Sequence, residues 1–300
     1  MVVAATGFFD GVHKGHQKVL SELCRVAADE GKKSAVITFW PHPRNVLQQD
    51  ACNLRLLNSL DEKERLIKDL GVDEFITIPF SREFSRLSTS EFLNGYLKQK
   101  YNVTTLIVGY DHRLGNNVNQ SQQEMIETAR SLGINVVRVE EFLIDNNIIS
   151  STRIRNLLNG GNVTSANAFL GYNYQLNGVV VSGQRLGRTI GFPTANMKLY
   201  NPLKAVPGNG VYAVWVEVFG KSYMGMCNIG TRPTVADSNE RSIETYILDF
   251  DEDIYGLDLT VKFVEKIRDE QKFTSLQLLK EQLEKDKVST LNLLRGKEGY

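Results

Sequence analysis

The stretch that decides the fold of the first half of the chain is VVAATGFFDGVHKGH, residues 2–16. It begins with a short apolar run, which predicts a buried β-strand. Glycines then recur at every fourth residue from Gly7 to Gly15, where they let the backbone turn tightly and come close to a ligand. His13 and His16 are spaced to share one face of the first turn of a following helix. This strand, loop and helix predict the start of an α/β sheet.

The rest of the first half alternates strands with helices. Helices are predicted at residues 19–27, 61–70 and 124–132, and strands at residues 2–5, 35–39, 75–78 and 105–108. This alternation favours a Rossmann-like, doubly wound parallel sheet, in which ligands bind beyond the carboxyl ends of the strands. Backbone N–H groups at a helix start favour anions, so the loop at residues 7–16 is a candidate nucleotide-phosphate site. Its closeness to Met1 predicts a missing or very short leading segment.

The second half has a different character. From residue 177 onward, β-rich runs separated by glycine- and proline-bearing turns lie at residues 179–181, 211–218, 244–250 and 259–264, before a helix at residues 275–285. The pattern predicts a small antiparallel β-barrel with a C-terminal helix. We place the domain boundary near residue 171, which gives domains at 1–171 and 172–300, with a hinge region around Gly160 and Gly161.

The composition limits the partners. The 300 residues include 35 basic and 35 acidic side chains, so no overall charge favours nucleic acid or an anionic membrane. The three cysteines are scattered without metal-ligand spacing. No apolar run approaches the roughly 20 residues of a membrane span, and no signal peptide is visible. We therefore expect a cytoplasmic protein without nucleic-acid or membrane partners.

Two later segments fit the first candidate site. ISSTRIR, residues 149–155, places the hydroxyls of Ser151 and Thr152 at a predicted helix start, followed by Arg155. The segment is either an ordinary N-cap with solvated arginines or a second phosphate clamp in which Arg155 offers a planar fork. Asp111 follows the strand that ends at Val108, so it lies at a carboxyl end of the sheet.

The barrel half carries a second group of candidates. GQRLGRT, residues 183–189, is too short for a P-loop and has Arg188 where a P-loop has lysine, so it predicts a mobile glycine loop over phosphates. In PTAN, residues 193–196, a hydroxyl and an amide offer hard oxygen ligands for Mg²⁺ carrying nucleotide phosphates, although the string alone is typical of a turn. Glu244 lies on a predicted strand face with Tyr246, Leu248 and Phe250, as a rim residue or as a general base.

The complete strings carry a resemblance to known families. GFFDGVHKGH and ISSTRIR resemble the adenylyltransferase superfamily, and TFWPHP (38–43) with GYDHRLG (109–115) resemble its FMN adenylyltransferase module. The resemblance implies that the phosphate of FMN attacks the α-phosphate of ATP directly and pyrophosphate leaves. His112 and Leu114 stand where the family usually has phenylalanines, and Asn116 begins a run that lacks the family's basic residues. The implied catalytic residues are His13, His16 and Arg155, and the implied ATP-binding residues are Gly7, Phe8, Asp10, Gly11, Asp111, Ser151 and Thr152.

The second half resembles the riboflavin kinase barrel, through GRTIGFPTAN, GNGVYAV, NIGTRPT and the run from residue 243 to residue 256. This resemblance implies that Thr194 and Asn196 hold Mg²⁺ with ATP and that Glu244 deprotonates the 5′-hydroxyl of riboflavin. The implied flavin- and phosphate-binding residues are Gly183, Gly187, Arg188, Gly191, Asn228 and Thr231.

The whole chain therefore resembles the bacterial bifunctional riboflavin kinase/FAD synthetase family, which implies riboflavin, FMN, FAD and MgATP as ligands. Two alternatives stay open: a riboflavin kinase with an impaired adenylyltransferase half, and a flavin-binding protein without turnover.

Overall fold

The computed structural model describes residues 1–47, 54–110, 112, 114–116, 120–144, 147–183, 186–231 and 241–296. The chain folds into two compact units, Met1–Ser151 and Thr152–Tyr300. The predicted boundary at residue 171 stays a prediction. No helix of the described residues is long and apolar enough to cross a membrane.

The first unit is built on a five-stranded sheet in the order β3-β2-β1-β4-β5. All of its strand pairs are parallel, which confirms the predicted fold class. The central strand β1 is an almost fully buried apolar run, as expected when helices cover both faces of a parallel sheet. The strands are β1 (Val2–Thr6), β2 (Lys33–Trp40), β3 (Glu74–Pro79), β4 (Val103–Val108) and β5 (Asn135–Arg138).

The order of this sheet creates a crevice at its centre. The chain leaves β1 for β2 on one side, and β4 lies on the other side of β1. Doubly wound sheets bind ligands where the strand order reverses in this way, beyond the carboxyl ends of the strands. The loop that follows Thr6 begins at that edge of β1.

Helices and aromatic side chains complete the first unit. Phe39 and Leu106 belong to the core on one face of the sheet, and Leu20, Leu23 and Val36 to the core on the other. A small hairpin, β6 (Leu143–Ile144) with β7 (Asn147–Ile148), follows the sheet in sequence. The helices are α1 (Lys14–Asp29), α2 (Pro43–Leu47), α3 (Leu60–Asp69), α4 (Thr89–Glu91, continued by the π-helix Phe92–Lys100) and α5 (Gln122–Ser131).

The second unit is a closed antiparallel barrel with a C-terminal helix, as predicted. Its strands neighbour one another in the order β10-β11-β12-β9-β8-β13, and β13 pairs with β10 to close the ring. The alternation of buried and half-buried residues along β8 is typical of a barrel wall. The strands are β8 (Gln175–Val181), β9 (Thr194–Leu199), β10 (Gly210–Val218), β11 (Lys221–Thr231), β12 (Arg241–Ile247) and β13 (Asp258–Arg268).

Four helices of the described residues accompany the barrel. The C-terminal helix extends to Leu294, beyond the predicted end at residue 285. Arg268 on β13 holds it with a two-pronged ion pair to the buried Asp286, at 2.8 Å and 3.0 Å. Near the predicted hinge, the side chain of Asn167 donates to the carbonyl of Phe263, so the preceding helices pack on the barrel. The helices are α6 (Ser151–Asn159), α7 (Val163–Leu170), α8 (Leu186–Thr189) and α9 (Leu276–Leu294).

One strand is shorter than the sequence predicts. β12 ends at Ile247, three residues before the predicted end at Phe250. The N–H of Leu248 still bonds to the carbonyl of Met224 on β11, and the chain turns at Asp249, which adopts a positive φ of 54°. The prediction that Glu244 shares a strand face with Leu248 and Phe250 is therefore wrong, although Glu244 and Tyr246 do share one.

Candidate active sites

The loop between β1 and α1 is locally strained. Phe9 and Val12 adopt positive φ angles of 47° and 37°, which cost energy for residues with a side chain, and Gly11 adopts 87°. The N–H of Gly7 bonds to the carbonyl of Ile37 at 3.1 Å, which ties the start of the loop to β2. Backbone strain of this kind collects at ligand-binding sites.

The two histidines form a stacked pair at the start of α1. Their ring centroids lie 3.6 Å apart with an angle of 16° between the planes. His13 is the N-cap, and its Nδ1 accepts the N–H of His16 at 3.3 Å. Burial lowers the pKa of His13 to about 4, and burial followed by the charges of His13 and Lys63 lowers the pKa of His16 well below its usual value. At neutral pH both imidazoles are therefore neutral hydrogen-bonding groups.

Asp10 joins three segments of the first unit. Its buried carboxylate accepts the N–H groups of Leu57 and Asn58, at 3.0 Å and 3.2 Å from Oδ1. Its carbonyl accepts the hydroxyl of Ser151 at 2.8 Å. The structure thus brings the predicted residues Asp10 and Ser151 together and connects them to the segment that precedes α3.

Phe8 lies at the rim of this loop among other rings. Its ring centroid is 4.8 Å from that of His42 and 5.4 Å from that of Phe39. Phe39 continues the contacts to Phe84 and Phe92 in the core. A half-buried ring supported by a row of aromatic residues is suited to stack against a planar ligand.

The three residues that depart from the family pattern, His112, Leu114 and Asn116, each contact other parts of the first unit. His112 lies 3.0 Å from the hydroxyl of Thr6 through its Nε2 atom, at the end of β1. Leu114 is buried and packs in the same core as Phe39. The backbone N–H and the side-chain amide of Asn116 both donate to the segment that precedes α4. Asp111 lies outside the described residues.

Thr152 and Arg155 lie on α6, within its first two turns. Thr152 is exposed and Arg155 is half-buried. They belong to the second unit, whereas the histidine pair belongs to the first. Their assignment to the adenylyltransferase site stays a prediction.

In the second unit, three predicted residues lie in one row across the barrel wall. Glu244 on β12 pairs with Asn196 on β9 and with Asn228 on β11. Directly opposed side chains on neighbouring strands come within about 5.5 Å at their Cβ atoms. The register therefore places the carboxylate of Glu244 between two amides.

Thr194 and Asn196 point to the same side of β9 because they are two residues apart. Asn196 is buried, and the backbone of Gly183 packs directly on it, since a Cβ built on Gly183 would lie 2.3 Å from the Asn196 Nδ2 atom. Only a glycine at position 183 leaves this amide in place. The structure thus joins the predicted glycine loop to the predicted metal-binding residues.

The rest of the glycine loop contains a short helix that the sequence pattern did not predict. Arg188 lies in α8, which has only four residues. The carbonyl of Gly187 accepts the N–H of Phe192 at 2.8 Å, and Gly191 adopts a φ of +85° in the turn that follows. The loop is therefore folded back on the residues just before Thr194.

A cavity of about 290 Å³ opens beside these residues. Arg188 and Thr194 line it, together with the buried Thr245. Its other wall carries the carboxylates of Asp251, Glu252 and Asp253, with Phe250, Ile254 and Tyr255.

Thr231 is the last residue of β11, and it is not among the residues that line the cavity. Its hydroxyl lies 3.1 Å from the side-chain nitrogen of Asn209, which also donates to Glu270 at 3.2 Å. Arg241, opposite Thr231 in the register, donates to the carbonyl of Val206 at 2.9 Å. The residues between β9 and β10 are thereby fastened to the ends of β11 and β12.

The comparisons with known proteins identify a family for each half of the chain. Residues 1–153 match the family model described as FAD synthetase, and residues 170–294 match the model described as riboflavin kinase. The chain is 38% identical over 291 residues to the bifunctional riboflavin kinase/FMN adenylyltransferase of Bacillus subtilis, covering 96% of this chain and 91% of that protein. The protein of the same name from Escherichia coli K12 is 37% identical, with the same two coverages.

The chain belongs to the bifunctional riboflavin kinase/FMN adenylyltransferase family. A solved structure described as a macrolide-efflux protein from Streptococcus pneumoniae is also similar, with a TM-score of 0.90 and 34% sequence identity. That similarity covers 97% of this chain and 94% of the other, so the fold is shared over nearly the full length.

Sequence reasoning missed Lys63 in this member of the family. Lys63 and Ile67 are the buried residues of α3, one helical turn apart. Burial lowers the pKa of Lys63 to about 8, although the charge of Asp10 opposes that shift. The signal was available, because a lysine one turn before a buried isoleucine lies on the apolar face of an amphipathic helix.

Sequence reasoning also missed the acidic side of the barrel cavity. Asp251, Glu252 and Asp253 follow the turn that ends β12 and face the same cavity as Thr194. In the sequence, these residues are only part of the run that resembles the kinase family. They face the cavity because β12 ends at Ile247, before this run begins.

Proposed function

We propose that the chain phosphorylates riboflavin to FMN in its second unit and converts FMN to FAD in its first. The observation that carries the proposal is that one chain holds a neutral histidine pair at a helix start and Glu244 in register between two amides. Membership of the family supports both reactions.

In the kinase reaction, Glu244 takes the proton of the riboflavin 5′-hydroxyl while that oxygen attacks the γ-phosphorus of ATP, and ADP leaves. Asn196 and Asn228 flank the carboxylate and orient it, and the cavity beside Thr194 is suited to hold the nucleotide. A positioned general base of this kind contributes about 10²- to 10⁴-fold to a rate.

The residues present fit Mg²⁺ bound together with ATP. Thr194 and Asn196 offer hard oxygen atoms from the same side of β9, and the described residues contain no cluster of three His, Cys, Asp or Glu side chains that would hold a metal ion alone. Mg²⁺ commonly takes few protein ligands and completes its shell with water and substrate phosphates. When bound, it would spread the charge of the transferred phosphoryl group.

In the adenylyl reaction, a phosphate oxygen of FMN attacks the α-phosphorus of ATP, and the bond to pyrophosphate breaks. The neutral imidazoles of His13 and His16 donate hydrogen bonds to the α-phosphate, and we propose that Ser151, Thr152 and Arg155 bind the phosphates from α6. Catalysis then consists of positioning and of hydrogen bonds that strengthen as charge develops.

We further propose that residues 1–171 and 172–300 act as the two functional domains, in the cytoplasm, without nucleic-acid or membrane partners. The balanced charge supports small-molecule substrates over polyanions. On this division, α6 and α7 belong to the adenylyltransferase domain in function.

The experiment is to incubate the purified chain with riboflavin, ATP and Mg²⁺ and to separate the flavins by chromatography over time. FMN that forms first, followed by FAD, is the expected result. FMN alone would identify a riboflavin kinase whose adenylyltransferase half has failed. Flavin retention without either product would identify a flavin-binding protein and would overturn the proposal.

A further inference from the structure

Lys63 is a buried ammonium group beside the histidine pair, and neither proposed reaction uses it. Its side chain is 3% exposed on the first turns of α3. The carboxylate of Asp10, in the strained loop after β1, accepts the N–H groups of Leu57 and Asn58, which directly precede the N-cap of α3. Lys63, in the first turn of α3, therefore lies where that loop meets the helix, and its charge also acts on Asp10 and His16.

The helix does not need this charge in order to hold its place. Ser59 and Glu62 form a complete capping box at the start of α3, and Ile67 packs in the core with Leu20 and Leu23. The Asp10 carboxylate fixes the preceding segment through the N–H of Leu57 and the N–H of Asn58. An apolar side chain at position 63 would fill the same space without the cost of burying a charge.

Among the described parts of the chain, no carboxylate forms an ion pair with the Lys63 ammonium. Buried charges are normally paired. A cation kept in this position is therefore suited to an anionic ligand.

The chemistry of the neighbouring groups indicates which anion. The two imidazoles are neutral, so they supply hydrogen bonds without positive charge. A nucleoside triphosphate brings several negative charges to the loop, and a lysine ammonium is a common partner of nucleotide phosphates. We propose that Lys63 binds a phosphate group of ATP in the first unit and is a substrate-binding residue of the adenylyl reaction.

This inference rests on the proposed adenylyl transfer, so the test includes a binding measurement that needs no turnover. The variants are Lys63→Met, which keeps the length and removes the charge, and Lys63→Arg, which keeps the charge. Arg65→Met, an exposed cation on the same helix, is the matched control. Isothermal titration with the magnesium complex of α,β-methylene ATP counts the nucleotide sites, and steady-state assays give KM for ATP in each reaction.

The parent and Arg65→Met should bind two nucleotides, one in each unit. Lys63→Met should weaken one of the two sites by about 10- to 100-fold, the range for losing a hydrogen bond to a charged group. Its KM for ATP in FAD formation should rise by a similar factor, and FMN formation should be unchanged. Lys63→Arg should recover part of the affinity, and the unfolding midpoint of Lys63→Met should not fall.

Several outcomes would overturn the inference. Parental affinity at both sites of Lys63→Met would do so, as would a lower unfolding midpoint in both variants with unchanged nucleotide affinity, because that result assigns Lys63 to stability. A parent that binds two nucleotides but makes no FAD would overturn the adenylyl reaction alone, since the titration of Lys63→Met still decides the role of Lys63. A parent that binds one nucleotide, at a site that Lys63→Met leaves unchanged, would overturn both.

Discussion

The two sites of this chain are built in different ways. In the first unit, the functional groups lie on a loop and on helix starts beyond the edge of a parallel sheet, where burial changes their protonation. In the second unit, the central groups lie on adjacent barrel strands, where the pairing register fixes their spacing. Burial thus sets the protonation of the groups in the first site. The pairing register sets the distances between the groups in the second site.

This difference determines what a substitution does at each site. Replacing a side chain in the barrel row removes one chemical group and leaves the strand pairing in place. Replacing one of the buried groups of the first unit also changes the protonation of its neighbours, as the effects of His13 and Lys63 on the pKa of His16 illustrate. The following predictions test this contrast, and the first two use the reaction of the other unit as an internal control.

The largest effect is expected at Glu244. Glu244→Gln keeps the shape of the side chain but cannot accept the hydroxyl proton, so FMN formation should fall by about 10²- to 10⁴-fold. Conversion of FMN to FAD should continue at the parental rate. Glu265→Gln on β13 is the matched control and should behave as the parent in both assays. Parental riboflavin phosphorylation by Glu244→Gln would show that the carboxylate is not the base.

The next effect is expected at His16. His16→Ala should lower kcat for FAD formation by about 10²- to 10³-fold, if its donor acts in the transition state, and should leave FMN formation unchanged. Ser21→Ala, an exposed change on the same helix, controls for general effects on α1. The measurement is the rate of FAD formation from supplied FMN. An equal loss in both reactions would indicate damage to the whole chain and would contradict the assignment.

A smaller effect is expected at Gly183, which affects the second site through packing alone. A Cβ on Gly183 would collide with the Asn196 side chain, which must then move away from Glu244 and Thr194. A displacement of about 1 Å in a catalytic site can cost up to about 100-fold, so Gly183→Ala should slow FMN formation within that range. Gly95→Ala adds a Cβ that meets no atom within 4 Å and should have no effect. Normal FMN formation by Gly183→Ala would show that the Asn196 amide is not needed.

The sequence allowed the barrel row to be predicted more completely than the first site. Alternation along a strand is a local property, and Thr194, Asn196 and Glu244 each follow from short motifs. That Asn228 pairs with the other side of Glu244 depends on strand order, which local patterns do not contain. The early end of β12 at Ile247 was also missed, because the positive φ of Asp249 that turns the chain there is a backbone conformation that strand periodicity does not contain.

For the first site, the loop could be identified from the sequence, but the charge of Lys63 beside it and the neutral state of its histidines could not. The spacing of His13 and His16 and the helix start were readable from one segment. The burial of Lys63 was indicated by its place on the apolar face of α3, but its position beside this loop was not, because that depends on how α3 packs against residues some fifty positions earlier in the chain. The neutral state of the histidines likewise follows from burial, which only the assembled fold defines.

The last prediction concerns the cost of that burial. The pKa of His13 is about 4 in the fold and about 6.5 in the unfolded chain, so the unfolded state binds the proton more readily. The first unit is therefore at its full stability above pH 6.5 and should lose up to about 3 kcal/mol through His13 as the pH falls to 4. The His13→Asn variant keeps a neutral N-cap. The free energy of unfolding of its first unit should therefore fall less than that of the parent between pH 6.5 and pH 4. Urea unfolding in a Trp215→Phe background, where Trp40 is the single tryptophan, measures the first unit, and identical pH dependence in both proteins would contradict the burial of a neutral His13.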